Sequence, residues 1–306
     1  MLRVRLCDNM RALGYAPFYF ALAGEHFTQA GVEIDLITSP SASRTGIMLL
    51  EGAADVSWGR PTRVMTHHQA DPACMLVCFA QIVARDPFVL VARMPNKSFR
   101  FQDLLGLRVA VATEIPTRWL MFLDDLAHAG IDPATLRRTR HQPMDASAAA
   151  LLAGDADVVQ VFEPYVDQLT ELGCHIWHRF SARGDMAYTT FYATRDYTTG
   201  QRETCRLLVR GMAAAERAFH AACAEYIAES IQSFFPEISA TALARIVTGH
   251  RQAGVWARTP ALPVQSFVRL KTALLSGGLI DRDFPFDRIV DADLSRTDPA
   301  RPSPRA

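Results

Sequence analysis

Leu2 to Leu6 alternates Leu and Val with Arg, the period-two pattern of a strand with one face in the core, and Asp8-Asn9 ends it. After the loop around Gly14, Pro17 stands where a first helical turn tolerates proline, and Phe18 to Phe27 supplies an apolar helix face that stops at Gly31. Val32 to Thr38 alternates again. A strand, a helix and a second strand in this order call for parallel pairing through a crossover. The loop Ser39 to Ser43 leads into a helix predicted over Arg44 to Glu51, for which Ser41 or Ser43 is the candidate N-cap. Gly52 closes that helix and Asp55 to Trp58 forms a short third strand. A helix follows over Thr62 to His68, and Ala73 to Ile82 and Phe88 to Ala92 read as the fourth and fifth strands.

The pattern then begins again. Pro95 to Ser98 is a polar linker, Phe101 to Gly106 a single helical turn and Leu107 to Ala112 a strand. Thr113 to Thr117 opens a helix that runs to Ala129. A helix over Asp145 to Leu152 stops at Gly154, and the strand Val158 to Phe162 ends at Glu163-Pro164. Tyr165 to Leu172 is helical and His175 to His178 a short strand. Gly52-Ala53-Ala54-Asp55-Val56 has its counterpart in Gly154-Asp155-Ala156-Asp157-Val158, so two similar α/β units are expected to face each other. Tyr188 to Thr194 reads as a strand that returns the chain to the first unit. Beyond Gly200 the spacing is helical, over Gln201 to Phe235, Ser239 to Thr248 and Pro263 to Ser276, with Gly277-Gly278 as the stop. The tail from Asp291, with Pro299, Pro302 and Pro304, reads as disordered.

Composition narrows the class of partner. A chain of 306 residues with 49% apolar side chains suits two ordinary domains. With 32 basic and 32 acidic residues it carries no electrostatic footprint for nucleic acid or an anionic membrane. A small molecule or a protein is the expected partner. No run of 18 or more apolar residues is present, so no membrane span is expected. The first eight residues turn polar too soon for a signal-peptide core, which points to a mature sequence or to the cytosol. The six cysteines lack metal spacing, and Cys74 and Cys78, in one apolar strand, stand roughly 13 Å apart, too far to be bridged. They are expected to be mostly buried free thiols. His67-His68 lacks a third ligand, and His175 and His178 fall on different faces of their strand, so neither a metal nor another cofactor is expected.

The chain resembles a type II periplasmic solute-binding protein of the branch that serves ABC importers of nitrate, sulfonates and taurine and of thiamine-pyrimidine precursors. The resemblance is carried by Gly14 to Ala21 with Gly31 to Ile34, Leu50 to Val56, Phe101 to Ala110, and Leu152 to Asp157 with Phe162-Glu163-Pro164. It implies two lobes joined by crossovers near Phe88 to Arg93 and near Thr190 to Arg195, each lobe a mixed, mostly parallel sheet flanked by helices, with a helical C-terminal segment. Residues 1–90 with 192–290 are expected to form one lobe, 91–191 the other, and 291–306 a tail. It further implies hinge closure on a ligand, periplasmic residence, a monomer and delivery to a permease. The cysteine-rich segment of pyrimidine-synthesising enzymes of this fold is absent.

In open α/β sheets, ligands lie beyond the carboxyl ends of strands. That rule selects Asn9 beside Asp8 after the first strand, Ser41 and Ser43 after the second, and Trp58, Gly59 and Arg60 after the third. In the second unit it selects Thr113, Thr117 and Arg118 at a helix start, and Glu163. Backbone donors at the two helix starts suit an anion, which Arg60 or Arg118 would clamp. Tyr15, Phe18, Trp58 and Trp119 are candidate stacking rings, although rings near a helix start also build cores. The expected function is capture of a small organic solute, such as a sulfonate, carboxylate or pyrimidine-like compound, without catalysis. The alternative is a cytosolic enzyme of the same fold, a decarboxylase or biosynthetic enzyme acting on a small aromatic or heterocyclic acid. No spacing in the chain brings a nucleophile to a base.

Overall fold

The computed structural model describes residues 1–8, 10–111, 117–139 and 143–296. Strands β1 (Leu2–Asp8), β2 (Val32–Thr38), β3 (Val56–Gly59), β4 (Leu76–Val83) and β10 (Thr189–Thr194) form one sheet, in the order β2-β1-β3-β10-β4. Strands β5 (Val89–Ala92), β6 (Arg108–Val111), β7 (Arg137–Arg138), β8 (Val158–Val161) and β9 (His175–Arg179) form the other, in the order β7-β6-β8-β5-β9. In each sheet one strand opposes its neighbours: β10 is antiparallel to β3 and β4, and β5 to β8 and β9. These are the strands formed just after the chain crosses from the other sheet. Both sheets are therefore mixed and mostly parallel, with helices on their faces and a helical C-terminal segment, as the resemblance implies.

Several boundaries differ from expectation, each for a local reason. The chain crosses between sheets at 84–88 and 180–188, earlier than the resemblance implied, because Val89–Ala92 and Thr189–Thr194 are themselves strands. The apolar run from Phe18 breaks at Gly24-Glu25, where Glu25 takes a left-handed φ of 54°, and the helices are Ala16–Ala23 and His26–Gln29. The run Gln201 to Phe235 breaks where Ala222 and Cys223 are both extended, leaving the helices Arg202–Ala221 and Ala224–Ile231. Residues 291–296 are not a loose tail: Leu294 is buried and Asp291 pairs with Arg202 at 2.7 Å. Residues 297–306 lie outside the described residues. All six cysteines are free, five of them buried.

The likeness between the two units has a physical basis. Asp55, ahead of β3, accepts the Arg5 backbone N–H at 2.8 Å and its guanidinium at 2.6 Å from the neighbouring β1. Asp157, ahead of β8, does the same for Arg108 of β6, again at 2.8 and 2.6 Å. One residue type at the same step thus sets the alignment of two parallel strands in both sheets. The Arg108 hydrogen bonds hold the Asp157 carboxyl down at about 2.

The first sheet is buried on both faces. The helices Ala16–Ala23 and Arg202–Ala221 cover one, and Pro61–Ala70 and Val264–Ser276 the other. Although β4 is an edge strand, all eight of its residues are buried. Its outer edge is covered by the C-terminal segment: the Gln81 N–H donates to the Pro260 carbonyl, and the Ala257 and Asp291 N–H groups donate to Ile82 and Cys78.

The two crossings are fastened to each other. Arg183, on the return crossing, has a largely buried side chain and donates to Asp86 on the outward crossing at 2.6 Å and to Asp125 of the helix Thr117–His128 at 2.7 Å. Arg85, one residue before Asp86, meets Asp185, two residues after Arg183, at 2.7 Å in an exposed pair. The polarity of the two pairs is opposite, each crossing supplying the cation to one and the anion to the other.

Removing one partner of a buried pair leaves charge uncompensated, so Arg183→Met is expected to cost about 3–5 kcal/mol. Arg85→Ala, which breaks the exposed pair, should cost under about 1 kcal/mol. Urea denaturation of both variants checks the ranking; equal losses would mean that the buried cluster does not hold the crossings.

Candidate functional site

Between the sheets, at the crossings, lies a narrow hollow of about 20 Å³. Its walls are Met10, Ala12, Gly14 and Tyr15 from the segment after β1, Arg60 after β3, Val83 at the end of β4, Pro87 and Phe88 from the outward crossing, Phe162 after β8 and Tyr188 just before β10. Tyr15 closes a 3-10 turn, Leu13–Tyr15, and its ring meets Phe18 and Trp58 edge-on at 6.2 and 6.4 Å. The turn is held from the far side, where Trp256 Nε1 donates to the Gly14 carbonyl at 2.9 Å. Phe88 and Phe162 stand edge to face at 4.8 Å and bring the second sheet to the hollow.

Arg60 is the cationic side chain of this lining. It precedes the helix Pro61–Ala70, in which Pro61 takes the first position, so Arg60 is extended and stays at the strand end. Its guanidinium lies 4.3 Å over the Tyr188 ring and donates to the Tyr188 hydroxyl. A guanidinium that is half-buried against a ring is less hydrated than one in water and is suited to an oxyanion.

A second hollow, of about 460 Å³, shares Met10, Ala12 and Phe162 with the first and extends to Glu163, Tyr165 and the turn Phe234 to Ile238. Glu163 is only 8% exposed. Its Oε2 accepts the Asp167 N–H at 2.9 Å, which ties it to the first turn of the helix Tyr165–Glu171. Burial pushes its carboxyl up to about 7 despite that bond and the fields of Arg179 and Arg245. Asp167 in turn takes both Arg245 nitrogens, at 2.9 and 3.0 Å, from the helix Ala240–Gln252.

Of the residues selected from the sequence, Tyr15 and Arg60 meet in the first hollow and Glu163 lines the second. Trp58 does not reach either: it is fully buried and stacked on Phe18 at 4.4 Å, so both rings are core. Gly59 is buried within β3 and lines neither hollow. Ser41 and Ser43 are exposed, bond each other at 2.9 Å and line neither hollow. They do not cap the helix Thr45–Leu50 either, whose N-cap is Arg44. The Trp119 ring carries the Arg138 guanidinium at 3.7 Å and is absent from both linings. Asn9 and Thr113 lie outside the described residues, as do the side chains of Thr117 and Arg118.

Tyr188, Pro87 and Phe88 were missed for one reason. The carboxyl-end rule holds for parallel strands, and β10 and β5 run the other way, so their amino-terminal ends share that edge. With Thr190 opposite Gly59, Tyr188 arrives beside Arg60; with Val89 opposite Val161, Phe88 arrives beside Phe162. A reading that had assigned strand direction after each crossing would have found them.

Comparison with known proteins agrees with this geometry. The family described as NMT1/THI5 like matches residues 13–225. A curated relative, "Putative binding protein YtlA" of Bacillus subtilis, is 22% identical, with 96% of this chain and 89% of that protein covered. Among solved structures, the periplasmic aliphatic sulphonate binding protein SsuA of Escherichia coli is similar at 16% identity and a TM-score of 0.76, with 94% of this chain and 97% of that one covered. The desulfurization enzyme DszB is similar at 12% identity and a TM-score of 0.68, over 96% and 97% of the two chains. At these identities the solved structures establish the fold.

The Glu163 carboxyl makes a prediction about stability. Its folded value lies above that of an unfolded glutamate, so folding favours the protonated acid. The group costs nothing below about pH 4.5, and its penalty grows as pH rises to about 7, reaching about 3 kcal/mol. Glu163→Gln keeps an acceptor for the Asp167 N–H and cannot ionise. It should therefore be more stable than the parent at pH 8 and equal to it at pH 4.5, as read from urea midpoints. Equal midpoints at pH 8 would contradict the burial argument.

Proposed function

We propose that this chain, which belongs to the NMT1/THI5-like family, is a solute-binding protein that captures a small organic anion between its two lobes. In this reading it closes by bending at the crossings 84–88 and 180–188 and presents the ligand to the permease of an ABC importer, which implies residence outside the inner membrane. The observation that carries the reading is the first hollow, where Arg60 lies against Tyr188 in walls that are otherwise aromatic and aliphatic. Such walls desolvate a planar or alkyl body, and a single guanidinium supplies the charge-assisted bonds for its sulfonate or carboxylate. The names of the relatives support the same class: the curated one is called a binding protein and SsuA an aliphatic sulphonate binding protein. No helix among the described residues is long and apolar enough to cross a membrane, so a separate permease is required for transport.

The enzyme reading draws on a likeness of fold to DszB alone. A catalytic site would need a nucleophile or an acid–base pair in reach of the ligand. The side chains of the first hollow place a cation and two phenols there instead.

Thermal-shift screening of sulfonates, aromatic carboxylates and pyrimidines is expected to return an anionic hit. At a hundredfold excess over Kd it should stabilise the protein by about 2.7 kcal/mol. Arg60→Ala should weaken that hit at least tenfold, about 1.4 kcal/mol, by titration calorimetry. Unchanged affinity in the variant would remove Arg60 from the site and with it the anion assignment.

A further inference from the structure

The second hollow is larger than the first and adjoins it, with Met10, Ala12 and Phe162 lining both, while Arg60 lines only the first. Its lining is largely apolar, with Glu163 as the polar side chain that is more than nine-tenths buried. One Glu163 oxygen accepts the Asp167 N–H. The other has no donor among the described residues, and the small exposed part of the side chain opens into the hollow that it lines.

The charged groups around it are otherwise engaged. Arg245 is bound to Asp167 and lies 3.6 Å from Glu171. Arg11, on the wall of the hollow, lies 3.8 Å from Asp8, donates to the Phe234 carbonyl at 3.4 Å and stands 5.7 and 5.6 Å from the Tyr19 and Phe234 rings. Arg179, at the end of β9, acts on Glu163 through its field, and Glu237 and Asp167 add negative charge nearby. No cation among the described residues forms an ion pair with Glu163.

We propose that Glu163 is a second recognition point of the same cleft, and that the ligand is bifunctional: an apolar or aromatic acid carrying an amine at the end away from its acid group. The inference rests on the reading of Arg60 as the anion site and adds the opposite end of the ligand. A buried carboxyl with one donor of its own selects for a partner that supplies the missing one. A ligand without it must leave that oxygen desolvated and unpaired, a larger penalty than the loss of an apolar contact. The raised value of the carboxyl, about 7, fits a group that awaits a cation.

Calorimetry with the pair 4-methylbenzoate and 4-(aminomethyl)benzoate, on the parent protein, Arg60→Ala and Glu163→Gln, tests this. The parent is expected to bind the aminated probe at least tenfold tighter than the methyl one. Glu163→Gln should abolish the difference and leave the methyl probe unaffected, and Arg60→Ala should weaken both. Because Glu163 ionises as pH rises through about 7, the aminated probe should gain about tenfold between pH 6 and pH 8 in the parent and nothing in Glu163→Gln. Equal binding of the two probes to the parent, with both weakened in Arg60→Ala, overturns the role of Glu163 and leaves the anion site standing. Binding that Arg60→Ala does not weaken, or no binding of either probe, overturns the anion site and this inference together.

Discussion

The structure depends on one buried guanidinium. Arg183 sits between Asp86 and Asp125, and through them it joins the return crossing, the outward crossing and the first long helix of the second sheet. The crossings are the covalent links between the two sheets, so the cluster sets where each sheet begins relative to the other. The hollow inherits its shape from that placement: Pro87 and Phe88 follow Asp86 by one and two residues, and Tyr188 follows Arg183 by five. In a low-dielectric position such a cluster costs desolvation and gains little net stability. Its contribution is geometric. Arg85 and Asp185, paired in the opposite sense beside it, tie the same two crossings a second time.

The same economy appears within the sheets. Asp55 and Asp157 each hold an arginine on the adjacent parallel strand by its backbone and side chain together, at matching distances. The two units share little else in sequence, but this step brings β3 and β8 to the same point in each sheet. Arg60 and Phe162 follow those strands directly, which is why both reach the cleft. The antiparallel strand that each sheet receives from a crossing then carries in Tyr188 and Phe88 from the opposite chain direction. Both walls are thus built by one rule applied twice.

The chemistry of the cleft is sparse. Its first hollow holds a cation against a phenol among rings, and its second a carboxyl with one protein donor. Burial raises the carboxyl and leaves it close to neutrality, so its charge responds to whatever is placed beside it. Asp167 links that carboxyl to Arg245, and Arg245 belongs to the C-terminal helical segment. The carboxyl is in this way one residue removed from a bond between the second sheet's helices and the rest of the molecule.

Much was legible in the chain alone. Alternating and short apolar runs located nine of the ten strands, and β7, two arginines long, has no pattern to read. The repeated Ala-Asp step announced the second unit, and strand ends pointed to Arg60 and Glu163. These signals are local: they depend on which residues alternate, turn or cap within a few positions. What only the tertiary structure decided is long-range. Trp58 and Gly59 stand beside Arg60 in sequence, yet both are buried inside the strand, with Trp58 stacked on Phe18, while Arg60 lies just past the strand end. Ser41 and Ser43 follow a strand end but open to solvent. Tyr188, Phe88 and the turn Phe234 to Ile238 come to the cleft because two strands reverse direction after a crossing and because the C-terminal helices fold back. Sequence periodicity carries no sign of strand direction, so that choice is made only when the crossings are fastened and the sheets assemble.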